Sequence, residues 1–322
     1  MARNILAIDV GGTKLAVGMM SPDGAMHGAI IEPTHKERGV DAVLDHLSDM
    51  ARRVVGATRH IGDFDAVGIS CGGPLDAASG ILRSPLHLPD WVDVSITDLF
   101  ADEFSVPAFL ENDATAAALG EFHFGAGRGS STLVYLTVST GIGGGSVVDG
   151  RLMRGSAGNG GEHGHITVRP GGRACSCGRY GCLEAYCSGT SIGLRGREAA
   201  QIAAASRRST GLTASSTAVD VTRLAQVDDE VAREIWDETT ELLAQACTDL
   251  ANVFEPEVLV LGGGVTRSGK MLLDPVRDFV LAHAMRPVAA TISVRLAELG
   301  DLVGLVGAGA IAQDGLARLA RN

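Results

Sequence analysis

Residues 4–24 read NILAIDVGGTKLAVGMMSPDG. Ile5 to Ile8 form a short apolar strand. Asp9 follows, then a turn at Gly11-Gly12, then a second strand over Leu15 to Met20 that closes on Pro22-Asp23-Gly24. Residues 131–152, STLVYLTVSTGIGGGSVVDGRL, repeat the device: a strand from Leu133 to Val138, a glycine turn through Thr140, Gly141 and Gly144, and a second strand from Ser146 to Val148. The separation of about 128 residues is too long for a solenoid period. It predicts an α/β protein with two domains of related architecture facing each other.

Glycine turns of this kind present backbone N–H groups that can cradle phosphate oxygens. In the first turn Gly11, Gly12, Thr13 and Lys14 add a hydroxyl and a charge to that cradle, and Asp9 is placed to hold Mg²⁺, through water. In the second turn Thr140 and Gly141 take the corresponding places. The spacing is not that of a Walker loop, and a strand rather than a helix follows the glycines, which excludes a dinucleotide fingerprint. Taken singly, each hairpin reads equally well as a plain β-turn. A third glycine run, PEVLVLGGGVTRSG at 256–269, puts Gly263 at the end of a strand, Val258 to Leu261, preceded by a helix over about Asp229 to Phe254. Strand ends of that kind are where open α/β sheets bind nucleotides, although a tight turn alone explains this one as well.

Residues 106–125, VPAFLENDATAAALGEFHFG, read as a strand, then Asn112-Asp113, then an alanine-rich helix. At the helix start Asp113 has two compatible roles. It can cap the helix, or, kept ionised by the positive helix end, it can take a proton from a substrate hydroxyl.

The composition bounds the partners. The chain has 322 residues, 45% hydrophobic and 20% charged, with a formal net charge of −11. That balance argues against nucleic acid and against a polyanionic substrate. The sequence shows no signal-peptide pattern at its start and no stretch of about 20 apolar residues, so the expectation is a cytoplasmic protein without a membrane span. In a reducing compartment clustered cysteines read as metal ligands. Cys175, Cys177 and Cys182 form such a cluster inside GEHGHITVRPGGRACSCGRYGCLE, residues 161–184. Three thiolates with His163 or His165 would complete a closed tetrahedral zinc site, structural because no position stays open for water. A thiol cluster without metal is the alternative. Cys71, Cys187 and Cys247 lie apart and read as core or near-surface residues.

Together AIDVGGTK (7–14), LENDATAAALGE (110–121), LTVSTGIGGG (136–145), GEHGHITV (161–168), CSCGRYGCLE (175–184) and VLVLGGG (258–264) resemble the ROK family of sugar kinases, in the family's order and over nearly the whole chain. The resemblance implies the actin-like ATPase (ribonuclease H-like) fold, with domains at 1–118 and 119–302 and a last helix, 303–322, returning to the first. It implies that His165 is the fourth zinc ligand and that His163 fills a usually aliphatic position. It implies sugar contacts from Asn112, Asp113, Glu162, His165 and Glu184, with Asp113 as the base. Asp9 with Mg²⁺, Lys14 and the amides near Thr140 and Gly141 would handle ATP phosphates, and Gly263 would face the adenosine. Closure of the two domains would exclude water. Without the family, Glu162 and Glu184 read as solvated loop charges. Thr115, Ser139 and His87 depart from the family pattern, His87 in a loop that can approach the sugar. The implied activity is ATP-dependent phosphorylation of a hexose, glucose first, with mannose, fructose, allose or an N-acetylhexosamine as runners-up. A homodimer or homotetramer is implied by resemblance alone. A sugar-sensing repressor of the same family would need a helix-turn-helix ahead of the first strand, for which the sequence has no room. A non-catalytic sugar-binding protein is disfavoured by the retained Asp113.

Overall fold

The computed structural model describes residues 4–321. The chain divides into two compact units: residues 1–129, 154–160 and 298–322 form the first, and residues 130–153 and 161–297 the second.

The first unit is built on a five-stranded sheet. β1 (Asn4–Val10) pairs antiparallel with β2 (Lys14–Met20), and β2 with β3 (Met26–Pro33). On its other side β1 runs parallel to β4 (Phe64–Cys71), beyond which lies β8 (Ala108–Asn112). Three short strands, β5 (Leu75–Asp76), β6 (Ile81–Arg83) and β7 (Val92–Ser95), make a small sheet between β4 and β8 in sequence. The apolar run of β1 is buried on both faces, as parallel neighbours require. Leu6, Ile8 and Val10 join the core formed with α1 (Val40–Ala57) and α2 (Ile96–Phe104). Buried Val43, Leu47, Met50, Ala51 and Val54 recur on one face of α1 at helical spacing. Ile5 and Ala7 point to the opposite face. α3 (Asp113–Phe124) leaves the end of β8 directly. The expected domain boundary at residue 118 lies within α3, all of which stays in the first unit.

The second unit repeats the topology. β9 (Leu133–Val138) pairs antiparallel with β10 (Ile142–Val148), β10 with β11 (Arg151–Leu152), and β9 runs parallel to β12 (Val258–Gly262), flanked by β13 (Ser293–Leu296). The order β3-β2-β1-β4-β8 is thus matched by β11-β10-β9-β12-β13. One expectation changes: Gly143 and Gly144, read as part of the turn, lie inside β10, paired with Thr137 and Leu136. Ladder pairing overrides the low strand preference of glycine, and the turn shrinks to Ser139–Gly141. The helices are α4 (Glu184–Cys187), α5 (Gly189–Ser206), α6 (Ala218–Gln226), α7 (Glu230–Phe254), α8 (Lys270–His283) and α9 (Arg286–Ala289). Asp229 caps α7 by accepting from Ala232 N, so that helix starts where its periodicity predicts.

The final helix, α10 (Val303–Leu319), packs on α3, β4 and β1 of the first unit. Residues 300–319 are long and apolar enough to cross a membrane by length and composition, which the expectation of no such stretch missed; half of that window is buried in the protein. The glycines explain the burial. A Cβ on Gly307 would lie 2.6 Å from the backbone of Ala116, so α10 and α3 approach almost backbone to backbone. Cys71, Cys187 and Cys247 are all fully buried.

Candidate active site and cysteine loop

In the first unit the β1–β2 turn is closed by Gly11 N donating to Lys14 O at 3.0 Å. Thr34 braces it from the end of β3, its Oγ1 donating to Gly11 O at 2.6 Å. Thr13 and Lys14 are exposed at the tip. Asp9 is half-buried beneath them, and one carboxylate oxygen accepts a hydrogen bond from Ser70 Oγ at 2.6 Å. Ser70 stands opposite Asp9 in the parallel β1–β4 register. Burial raises the Asp9 carboxyl above its ordinary value. The Ser70 bond opposes that rise, the Asp113 charge adds to it, and Lys14 and His87 oppose it.

Asn112, not Asp113, is the cap of α3: its Oδ1 accepts from Ala114 N and Thr115 N. Asp113 is the first helical residue and accepts from Ala114 N at 2.8 Å. The division is physical. Asn112 has the extended backbone of a cap (φ −59°, ψ 141°), which turns its side chain over the open N–H groups. Asp113 is left to project from the helix end. Its carboxylate is reached by solvent yet crowded by protein, and the crowding raises its pKa; the Ala114 N–H and the nearby His87 oppose that rise. The first unit therefore brings together Asp9, the turn Gly11–Lys14, Asn112 and Asp113. Two carboxylates that repel each other beside an exposed lysine make a fitting environment for a divalent cation and phosphate oxygens.

In the second unit the β9–β10 turn is closed by Ser139 N donating to Gly141 O at 2.9 Å. The first residue of α5 meets this turn, Gly189 N donating to Ser139 O at 2.7 Å. The strand end at Gly263 meets it too. Gly263 has φ +88°, and a Cβ there would lie 2.5 Å from Val138 O. Thr140, Gly141 and Gly263 are thus neighbours, with the positive end of an 18-residue helix beside them. That helix end escaped the sequence reading, although Ser188, its cap, was a usable signal.

The cysteine loop spans 161–183 and has almost no regular pairing, only isolated bridges Thr167–Cys182 and Ala174–Tyr180. His165, Cys175, Cys177 and Cys182 converge, their ligand atoms all within 4.8 Å of one another. Cys177 Sγ and Cys182 Sγ are 3.7 Å apart, and Cys175 Sγ lies 3.6 Å from His165 Nδ1. With Zn–S about 2.3 Å and Zn–N about 2.0–2.1 Å, tetrahedral edges come out at roughly 3.8 Å and 3.6 Å. The residues fit zinc. His163, the other candidate ligand, is buried elsewhere: its Nε2 pairs with Ser146 Oγ at 3.0 Å, and burial lowers its pKa to about 4, so it is neutral.

His165 turns its second ring nitrogen the other way, Nε2 lying 3.7 Å from Glu162 Oε2. Glu162 is exposed, as a solvated loop charge would be. Glu184 is not: Oε2 accepts from Ile142 N at 2.8 Å and Oε1 from Ser176 Oγ at 3.2 Å, which ties the start of β10 to the cysteine loop.

The ROK family pattern matches residues 5–315. A glucokinase of Thermotoga maritima is 36% identical over 315 residues, covering 96% of this chain and 97% of that protein. The ROK hexokinase from Thermus thermophilus superposes with a TM-score of 0.82 at 35% identity, covering 98% of this chain and 99% of the other. A ROK family glucokinase from Streptomyces griseus, solved with glucose and AMPPNP, superposes with a TM-score of 0.75 at 30% identity, covering 97% and 100%.

Proposed function

The chain belongs to the ROK family, and from that premise we propose that it is an ATP-dependent sugar kinase that phosphorylates glucose. The observation that carries the reading is a solvent-reached carboxylate, Asp113, at the first turn of α3, with Asp9 close enough to feel its charge and Lys14 exposed on the adjoining turn.

In the proposed reaction the sugar hydroxyl attacks the γ-phosphorus of ATP, its proton passes to Asp113, and the bond to the β-phosphate oxygen breaks to release ADP. Phosphoryl transfer needs little covalent help, so positioning and charge neutralisation dominate. A raised carboxyl pKa makes Asp113 a stronger proton acceptor, provided it is ionised at the working pH. Asp9 is the residue suited to holding Mg²⁺, which would neutralise charge on the phosphates. Lys14 and the turn amides of Gly12 and Thr13 would hold phosphate oxygens, the Gly11 N–H being taken up in closing the turn, as would those of Thr140 and Gly141, with Gly263 toward the adenosine. Asn112 Nδ2, Glu162, His165 and Glu184 are proposed sugar contacts. A carboxylate can accept from two neighbouring hydroxyls, and His165 offers Nε2 when Nδ1 holds zinc. Zinc supplies no chemistry in this scheme; it would fix the loop that carries these groups. A cytoplasmic location and assembly as a homodimer or homotetramer accompany the proposal.

A coupled ADP-release assay across a hexose panel tests it. Turnover is expected on glucose, and Asp113→Asn should lose roughly 10²-fold or more in kcat. Turnover of the variant at the wild-type rate would remove Asp113 from the mechanism.

A further inference from the structure

His87 belongs to none of the site motifs. It sits in the loop between β6 and β7, which is fastened at several points. Arg83 N donates to Pro74 O at 3.0 Å and Leu86 N to Gly73 O at 3.1 Å, binding the loop to the segment that follows β4. Ser84 N donates to Trp91 O at 2.9 Å and Ser84 Oγ to Pro89 O at 2.6 Å, closing the loop on itself, while Leu88 and Trp91 are buried in the core.

The imidazole is therefore held in place. A Cβ on Gly12 would lie 2.7 Å from His87 Cβ, and one on Gly72 2.4 Å from His87 Cε1. The ring is wedged between the β1–β2 turn and the exit of β4, and no larger residue fits at either glycine without moving it. The next residue along, Gly73, would bring a Cβ to 3.7 Å from Asn112 Nδ2. His87 thus shares a wall with Asn112, and it is close enough to Asp113 to favour its ionised form. Yet its Nε2 is buried and, among the described residues, meets no hydrogen-bond partner. Buried polar atoms are nearly always paired in native proteins, so one left over beside a binding wall points to a ligand atom.

We propose that His87 is a specificity-determining residue: its Nε2 hydrogen-bonds one sugar hydroxyl, next to the one that Asp113 deprotonates, and so reads the stereochemistry of that position. The inference rests on the sugar-kinase reading above. An imidazole nitrogen donates or accepts according to where its proton sits, so it suits a hydroxyl, which does both. Nucleotide phosphate is the competing contact, because Gly12 belongs to the proposed phosphate turn.

The test uses the full-length enzyme, with kcat and KM measured for glucose, for its monodeoxy and epimeric series, and for ATP, in wild type, His87→Ala and His87→Asn. Wild type should discriminate against loss or inversion of one hydroxyl by roughly 10–100-fold in kcat/KM, the cost of leaving one buried hydrogen-bonding group unpaired. His87→Ala should flatten that preference at the same position alone, leaving the other positions and the KM for ATP unchanged. His87→Asn, which keeps an N–H donor, should retain part of it and guards against a folding defect in the alanine variant. An equal loss on every sugar, or a raised KM for ATP with the sugar profile intact, would overturn the proposal while leaving the kinase reading standing. A wild-type enzyme inactive on every hexose would overturn the kinase reading itself, and His87's role with it.

Discussion

The two carboxylates of the first unit are held where neither is comfortable as an anion. Both Asp9 and Asp113 have pKa values raised first of all by the protein around them. For Asp113 the sign is definite. A carboxyl whose pKa is higher in the folded than in the unfolded chain weakens the fold when it ionises. That penalty is absent below the ordinary value of 3.8, grows as pH rises toward the raised value, and is constant above it. Asp113→Asn removes it and keeps an acceptor for Ala114 N. The variant should therefore melt at or above the wild-type temperature at neutral pH, with the gap closing in acid, even though its turnover is expected to fall. A variant clearly less stable at neutral pH would show that the ionised carboxylate supports the fold, contrary to this account. Wild-type kcat/KM should fall on the acid side as pH drops through the raised pKa, because a protonated Asp113 cannot accept the hydroxyl proton. Asp113 was legible in the sequence because the strand end, cap and helix start are contiguous. Ser70, which holds Asp9, was not: it lies 61 residues away and reaches Asp9 only through parallel strand register. His87 was legible as a departure from a family pattern, but its wedge between two glycines exists only in three dimensions.

Among the elements, the twin hairpins could be read in advance because each is one local unit, a strand, a turn and a returning strand. The extent of β10 could not, since its glycines take their conformation from pairing with β9. The cysteine loop is the opposite case. Its spacing pointed to the three cysteines and left His163 or His165 open, with the family resemblance choosing His165, while its backbone has too few ladder bonds to define a shape without them. Purified protein should contain about one zinc per chain. Stripping it with a strong chelator, or Cys177→Ser, should lower the melting temperature and raise the KM for sugar more than that for ATP, because Glu184 is tied to this loop through Ser176. Full stability and an unchanged sugar KM in metal-free protein would reduce the cluster to four neighbouring side chains. The α3–α10 contact makes a different demand. Gly307→Val places a branched side chain against the Ala116 backbone, and overpacking of this kind costs about 1–3 kcal/mol. Urea unfolding should show it as a lower midpoint with an unchanged slope, whereas an unaltered midpoint would mean the two helices separate easily.

At the scale of the molecule, the chain passes between its two units four times, near residues 129, 153, 160 and 297. The first unit fastens three of these passages with side-chain hydrogen bonds to two buried glutamates, Glu121 and Glu111. Glu121, fully buried on α3, accepts from Ala126 N at 2.8 Å on the outgoing segment and from Glu298 N and Leu299 N at 3.0 and 2.9 Å on the returning one. Arg154, where the chain re-enters the first unit, donates to Glu111 at 2.7 Å and to Asp314 of α10 at 3.1 Å. Glu111 is 1% exposed and immediately precedes Asn112-Asp113, so this pair links a chain crossing to the strand that presents the proposed base. Burial raises the Glu111 carboxyl and Arg154 opposes the rise. Removing the arginine should raise it further and leave a buried charge uncompensated, a loss of about 3–5 kcal/mol when such a pair is broken on one side. The pH dependence separates this from mere loss of packing. Below the ordinary glutamate value of 4.5 the carboxyl is protonated in both folded and unfolded chains, so Arg154→Ala should cost little there. The unfolded chain titrates alike in both proteins, so the deficit should open only as pH rises past the raised folded value of the wild type, and level off above the still higher one of the variant. The double variant Arg154→Ala with Glu111→Gln should recover most of the loss at neutral pH, since no charge is then stranded. Urea titrations from pH 4 to 8 read all three proteins; a deficit of the same size at every pH, or one that Glu111→Gln fails to relieve, would assign Arg154 to packing alone.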